Sequence, residues 1–179
     1  MRHDEKAVRD LLDKEEIREV VGPRYARALD WDDTALLKSC FHPDAFLDQG
    51  HFKGIAYEWC EIATEPKPDS IVRFHYMFPA AVIVNGDRAR AESAGISGRR
   101  WKTTGREKQH FYGARYFDIL DRRSEEWKIS SRVLRLDFMQ TFPGGGRDEK
   151  EAPNLVFLSS PDSSNPLYNF LLRSRPPEI

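Results

Sequence analysis

The hydrophobic period of this chain changes once, near its midpoint, and the change limits the class of fold open to it. Across residues 4–30 the apolar positions recur at helical spacing, with Val8, Leu11, Leu12, Ile17, Val20, Val21 and Leu29 gathered broadly on one side. After residue 80 the spacing falls to two. Ala81-Val82-Ile83-Val84, then Asn85-Gly86-Asp87, then residues 88–96 carry the signature of a hairpin, because Asn-Gly readily takes the positive φ of a tight turn. Residues 111–120 read as a long strand rich in aromatic and branched side chains, residues 121–126 turn it, and residues 127–142 run back. Helices first and antiparallel strands afterwards predict an α+β fold, with a curved antiparallel sheet wrapped around the N-terminal helices.

Local punctuation refines this outline. Gly22-Pro23 interrupts the first helical stretch and predicts a kink or a break, since proline removes a helical N–H and costs about 3 kcal/mol in a helix interior. Asp32 or Asp33 caps a short helix carrying Ala35, Leu36, Leu37, Cys40 and Phe41, and His42-Pro43-Asp44 stops it. Residues 45–47 are extended, and a third helix over residues 55–63 ends at Glu65-Pro66-Lys67-Pro68. Gly144-Gly145-Gly146 marks a break in composition, so the chain divides into a domain at residues 1–142 and a C-terminal extension at 143–179. Apolar clusters at residues 155–158 and 167–172 need burial, as a cover over a cavity or as an arm on a neighbouring subunit.

Charge excludes several classes of partner. The 28 basic and 29 acidic residues leave a net charge of −1, which argues against general nucleic-acid or anionic-membrane binding. No apolar run approaches the roughly 20 residues that span a bilayer. The opening Met1-Arg2-His3-Asp4-Glu5-Lys6 lacks the apolar segment of a secretory signal, so a cytoplasmic protein is expected. Cys40 and Cys60 have no metal-like spacing and read as core thiols. With no His-x-x-x-His, no clustered carboxylates and no glycine-rich phosphate loop, neither a metal nor a cofactor is expected.

The chemistry-bearing candidates are Asp30 and His75, 45 residues apart. Asp30 closes the helical run Tyr25-Ala26-Arg27-Ala28-Leu29-Asp30, and His75 lies in the aromatic run Arg73-Phe74-His75-Tyr76-Met77-Phe78, which reads as a strand. A carboxylate beside an imidazole makes a general base: the acid fixes the tautomer and stabilises the imidazolium that forms. Tyr25 could donate a hydrogen bond to a substrate oxygen, although at about 100° per residue it shares a face with Asp30 only loosely. His110, Tyr112, Ala114 and Tyr116 have one parity along a strand and Phe111, Gly113, Arg115 and Phe117 the other, and either set could line a cavity. Arg115 and Arg132 read as outer-face or interface charges, and His3, His42 and His51 as structural or solvated. Trp31, Trp59, Met77, Phe78 and Phe138 read as core or pocket wall.

These residues also carry a resemblance. Tyr25 to Asp30, Asp32-Asp33, Cys40-Phe41-His42-Pro43-Asp44-Ala45 and Gly54 resemble the opening of SnoaL-like members of the NTF2-like superfamily, and Val84-Asn85-Gly86-Asp87-Arg88-Ala89-Arg90, Arg115-Tyr116-Phe117-Asp118 and Glu126-Trp127-Lys128-Ile129 resemble its later strands. The resemblance implies a cone-shaped barrel whose deep apolar cavity is closed by helices. It is strongest to the branch of scytalone dehydratase, hexachlorocyclohexane dehydrochlorinase and bile-acid 7α-dehydratase, in which an Asp and a His pair inside the cavity. Asp30 and His75 fall at the matching positions, with Tyr25 at that of a tyrosine found in some dehydratases. A second cavity tyrosine of some relatives falls near Gln49, and His110 could supply a second cavity histidine.

The implied activity is a cofactor-independent lyase of the dehydratase type acting on a small, apolar, cyclic substrate, with Asp30 and His75 catalytic and Tyr25, His110 and Tyr112 binding substrate. The alternatives are an isomerase or polyketide cyclase using the same pair, or a non-catalytic protein: an assembly subunit like the small subunit of ring-hydroxylating dioxygenases, or a ligand binder. A homo-oligomer is expected, a trimer before a dimer.

Overall fold

The computed structural model describes residues 5–143, 167, 168 and 170. Four helices precede or interrupt the first strands: α1 (Glu5–Glu19), α2 (Tyr25–Asp30), α3 (Thr34–Ser39) and α4 (Ala56–Thr64). Seven strands follow the α+β order read from the sequence: β1 (Phe41–Asp48), β2 (Lys53–Ile55), β3 (Ser70–Met77), β4 (Ala81–Asn85), β5 (Arg88–Thr103), β6 (Arg106–Arg123) and β7 (Glu126–Pro143). They form one curved, unclosed sheet in the order β2-β1-β7-β6-β5-β3, with β4 also on β5. All pairings are antiparallel except β1 with β7, which is parallel. The helices lie on the concave face, where Val20, Val21, Tyr25, Leu29 and Leu37 meet Phe41, Tyr116, Leu120, Trp127 and Ile129 in the core.

The interruption at Gly22-Pro23 is a π-helical turn, Val20–Arg24, rather than a break: Glu19, Arg24 and Tyr25 all keep right-handed helical angles. A widened turn gives the missing proline N–H a place without ending the helix. Asp33, not Asp32, caps α3, its carboxylate accepting from the Leu36 N–H at 2.9 Å. Gly86 supplies the positive φ (60°) of the β4–β5 hairpin. Cys40 and Cys60 are free, buried thiols, each pushed up to about 12 by burial.

Several expectations fail for identifiable reasons. The His42-Pro43-Asp44 run does not stop a helix: α3 ends at Ser39, and this run opens β1, where buried His42 bonds the Asp121 carbonyl through Nε2 at 2.8 Å. Val8, Leu11 and Leu12 are exposed, because α1 is anchored by a polar residue instead. Buried Asp13 accepts from Arg122 (2.8 Å) and the Trp127 indole (3.1 Å), and only Ile17 joins it in the interior. Phe78 and Phe138 stand about half-exposed rather than in core or pocket.

The largest correction concerns Arg132, which is fully buried, its guanidinium gripping Asp118 through two bonds of 2.7 and 2.8 Å. Two bulges in β7 explain it. Ser130 and Asp137 are the extra residues where the β6–β7 register slips, and each reverses which side chains face inward. The inward series on β7 is therefore Trp127, Ile129, then Arg132, Leu134 and Leu136, then Met139. Arg115, by contrast, lies on the outer face between Glu92 and Asp137, one of the two places read for it from the sequence.

The 143–179 extension lies outside the described residues except at Leu167, Tyr168 and Phe170. Tyr168 rests on α2 and α3, its hydroxyl on Asp33, its carbonyl on Arg27, and its ring 5.7 Å from that of Trp31.

Candidate functional site

The register of the sheet arranges the concave face in cross-strand rows. Neighbours in register on adjacent strands project to the same side. From the closed end outwards the rows are Ala91–Asp118–Arg132, Ser93–Tyr116–Leu134, Met77–Gly95–Ala114–Leu136, His75–Ser97–Tyr112–Met139 and Arg73–Arg99–His110–Thr141. The outer rows bound a cavity of about 410 Å³, roofed by Tyr25 and Leu29 from α2 and by Trp59, Ile62 and Ala63 from α4. The inward parity of β6 is thus the one carrying His110, Tyr112 and Tyr116.

β3 is an edge strand, so alternate backbone N–H groups have no partner strand. The amide of His75 is one of them, and Asp30 satisfies it: Oδ2 accepts from the His75 backbone N at 3.0 Å while Oδ1 meets the imidazole Nδ1 at 2.6 Å. Both carboxylate oxygens are thereby fixed, and both contacts arise because the C-terminal turn of α2 crosses the middle of β3. The His75 and Asp30 side chains are 8% and 22% exposed, so the contact is shielded from bulk water. In the neutral ring an acceptor at Nδ1 favours the tautomer with its proton there and a bare Nε2, and Nε2 has no hydrogen-bond partner among the described residues. Asp30 stands behind His75; the imidazole itself lines the cavity.

Tyr25 does not meet Asp30. It lies deeper, stacked on Trp59 at 6.0 Å and edge-on to Phe41 and Tyr116, with the Arg132 guanidinium 4.1 Å from its ring centre. Burial pushes its phenol up to about 12, so it stays protonated at neutral pH. Tyr116 is pushed up by burial as well. His110 and Tyr112 both line the cavity, and burial together with Arg99 lowers the pKa of His110, which favours its neutral form.

Three features escaped the sequence reading. Gln49 is buried and donates to the Tyr25 hydroxyl at 3.3 Å. Ser97 carries a buried hydroxyl with no hydrogen-bond partner among the described residues, in the row between His75 and Tyr112. The cavity wall also includes Lys67, Arg73 and Arg99, so it is not uniformly apolar, and exposed His51 joins it. A period-two pattern could place Ser97 and Arg99 inward once the parity of β5 is anchored on buried Ala89, Ala91 and Ser93; no local signal marks Gln49.

A family model of the SnoaL-like domain matches residues 9–133. Among solved structures, the chain is similar to a type 2 hexachlorocyclohexane dehydrochlorinase, LinA (TM-score 0.67, 17% identity, 78% of this chain and 94% of that one). It is also similar to a candidate scytalone dehydratase from Novosphingobium aromaticivorans (0.63, 18%, 77% and 91%). A candidate aromatic ring hydroxylase from the same organism matches comparably (0.63, 21%, 75% and 94%). At these identities the likeness establishes a shared fold. No curated protein sequence matches the chain.

Proposed function

The chain belongs to the SnoaL-like family, and from that premise we propose that it is a cofactor-independent lyase removing water from a small, largely apolar, cyclic molecule. One observation carries the reading: the 2.6 Å contact of His75 Nδ1 with Asp30 Oδ1 in the wall of a cavity of about 410 Å³. In this mechanism His75 Nε2 takes a proton from a carbon next to an activating group, and Asp30 stabilises the imidazolium. The C–H electron pair becomes the new double bond and the C–O bond breaks. The hydroxyl of Tyr25 or Tyr112 hydrogen-bonds the departing oxygen, which takes the proton that the imidazolium releases and leaves as water, and this restores the neutral base. General acid–base assistance of this kind contributes about 10²–10⁴-fold in rate, and enclosure strengthens each polar contact.

Dehydration is favoured over halide loss because a departing hydroxyl needs a hydrogen-bond donor, and burial keeps the Tyr25 phenol protonated to serve as one. The open cavity weighs against the assembly-subunit reading, in which side chains would fill that space. The same base could serve an isomerase or a cyclase, so the test must read the product. Mass spectrometry of a panel of cyclic β-hydroxy ketones incubated with the protein should show loss of the mass of water, abolished by His75→Ala. An unchanged product mass reassigns the reaction to isomerisation; full activity in His75→Ala refutes the mechanism.

In this reading residues 1–142 form the catalytic unit and 143–179 an arm or cover, in a cytoplasmic homotrimer, with a dimer as the alternative. Exposed Tyr76, Phe78, Ile96, Phe117 and Phe138 offer apolar area for such assembly, which sedimentation measures.

A further inference from the structure

The row of side chains outside His75 is cationic. Arg73, Arg99 and His110 are consecutive partners across β3, β5 and β6, and Lys67 lines the same cavity from the segment after α4. Among the described residues no Asp or Glu lines the cavity with them. Arg73 is paired with Asp32 and donates to the Ala63 carbonyl at 2.9 Å. Arg99 reaches Asp69 at 3.1 Å and the Ser70 hydroxyl at 3.4 Å. Lys67 has no carboxylate partner among the described residues; its ammonium is held by the carbonyls of Ile62, Ala63 and Glu65 at 3.1, 3.4 and 2.8 Å. Arg73 and Arg99 are thus each paired with a carboxylate, whereas Lys67 is not, although Asp32 and Glu65 act on it through space; burial and Arg73 both work against its charged form.

We propose that this row is a subsite for a carboxylate on the substrate, hydrogen-bonded by Arg99 and attracted by the charge of Lys67, so that the molecule processed is a cyclic carboxylic acid rather than a neutral hydrocarbon-like ring. With Arg73 and Arg99 already paired to carboxylates, the row suits a monoanion better than a doubly charged phosphate. The guanidinium of Arg99 offers the planar donor geometry that carboxylates accept. The row lies two residues from that of His75, about 7 Å along the strands. The anion therefore marks the far end of the molecule and is not the group that activates the carbon losing its proton. Leu136, Met139 and Trp59 would pack against the ring between them.

This inference rests on the proposed lyase site, but its test reads binding and not turnover, so the two can fail separately. Isothermal titration compares 2-naphthoate with its uncharged amide, 2-naphthamide, on the wild type, Lys67→Met, Arg99→Gln and His75→Ala. The wild type should bind the carboxylate at least tenfold more tightly than the amide. Lys67→Met and Arg99→Gln should each weaken the carboxylate about tenfold and leave the amide within twofold, while His75→Ala keeps the preference. Equal affinity for the two probes, binding of neither, or parallel loss of both in the variants overturns the subsite. If a variant fails to fold, the wild-type comparison alone decides. Loss of the preference with elimination intact refutes the subsite alone; a preserved preference without any turnover refutes the lyase reading alone.

Discussion

Arg132→Met should be among the most damaging single substitutions in this protein, although no substrate need touch that residue. Arg132 and Asp118 both have fully buried side chains, joined by bonds of 2.7 and 2.8 Å, with a third bond from Arg132 to the Val21 carbonyl at 3.1 Å. Burial opposes the charged guanidinium, but Asp118 outweighs it and holds the pKa above the ordinary arginine value. Methionine fills much of the volume but leaves the Asp118 carboxylate with no hydrogen-bond partner among the described residues. Removing one member of a buried pair costs about 3–5 kcal/mol, mostly the penalty of the stranded charge. At about 2–4 °C per kcal/mol for a domain of this size, the melting temperature should fall by roughly 6–20 °C. The double variant Arg132→Met/Asp118→Leu replaces both charges with apolar groups and should recover most of that loss. Arg115→Met, which breaks only the exposed pairs with Glu92 and Asp137, should melt with the wild type. Scanning calorimetry decides: a single variant that melts like the wild type, or a double variant no more stable than the single, refutes the stranded-charge argument.

Further expectations follow from other parts of the site. Asp30→Asn should keep the fold, as read by circular dichroism, and lower turnover about 10²–10⁴-fold, because the asparagine amide cannot stabilise the imidazolium as a carboxylate does. Ser93→Ala should raise stability by about 1 kcal/mol in urea titrations, because the buried Ser93 hydroxyl has no hydrogen-bond partner among the described residues and its desolvation is uncompensated. Asp48 is held down to about 2 by the Gly50 N–H, Arg135 and Lys53. A carboxyl depressed in the folded state contributes stability above its unfolded pKa that is lost as the pH falls towards 2. Acid melting curves of Asp48→Asn should lack that limb while the wild type keeps it.

Much of the fold was written locally. The change from helical to two-residue period, the Asn85-Gly86 turn and the proline-rich stop after α4 need only near neighbours, and each produced its element. The pairing of Asp30 with His75 was suggested by resemblance and by residue type. Its geometry depends on α2 crossing an edge strand, and no local pattern encodes that. On β6 alternation runs unbroken from His110 to Leu120, so the sequence showed two faces, but which of them points inward came only from the sheet; on β7 even the alternation breaks. There the bulges at Ser130 and Asp137 arise from pairing with β6, so Arg132 looked like a surface charge until the register was known. Ser97 was invisible, and Gln49 was marked only by the resemblance, for a related reason: a short polar residue gains meaning only from the groups across the cavity. The cationic row is a third case, since Arg73 and Arg99 become neighbours only through the β3–β5 register.

The central claim is that Asp30 poises His75 as a base with its free nitrogen towards the cavity, and ¹⁵N-resolved NMR of the His75 ring tests it most directly. In the neutral form of the ring the wild type should show the proton on Nδ1, hydrogen-bonded to Asp30, and a bare Nε2 whose signal moves when a cavity ligand is added. A ring protonated at Nε2 and bare at Nδ1, or one unchanged by Asp30→Ala, would contradict the account.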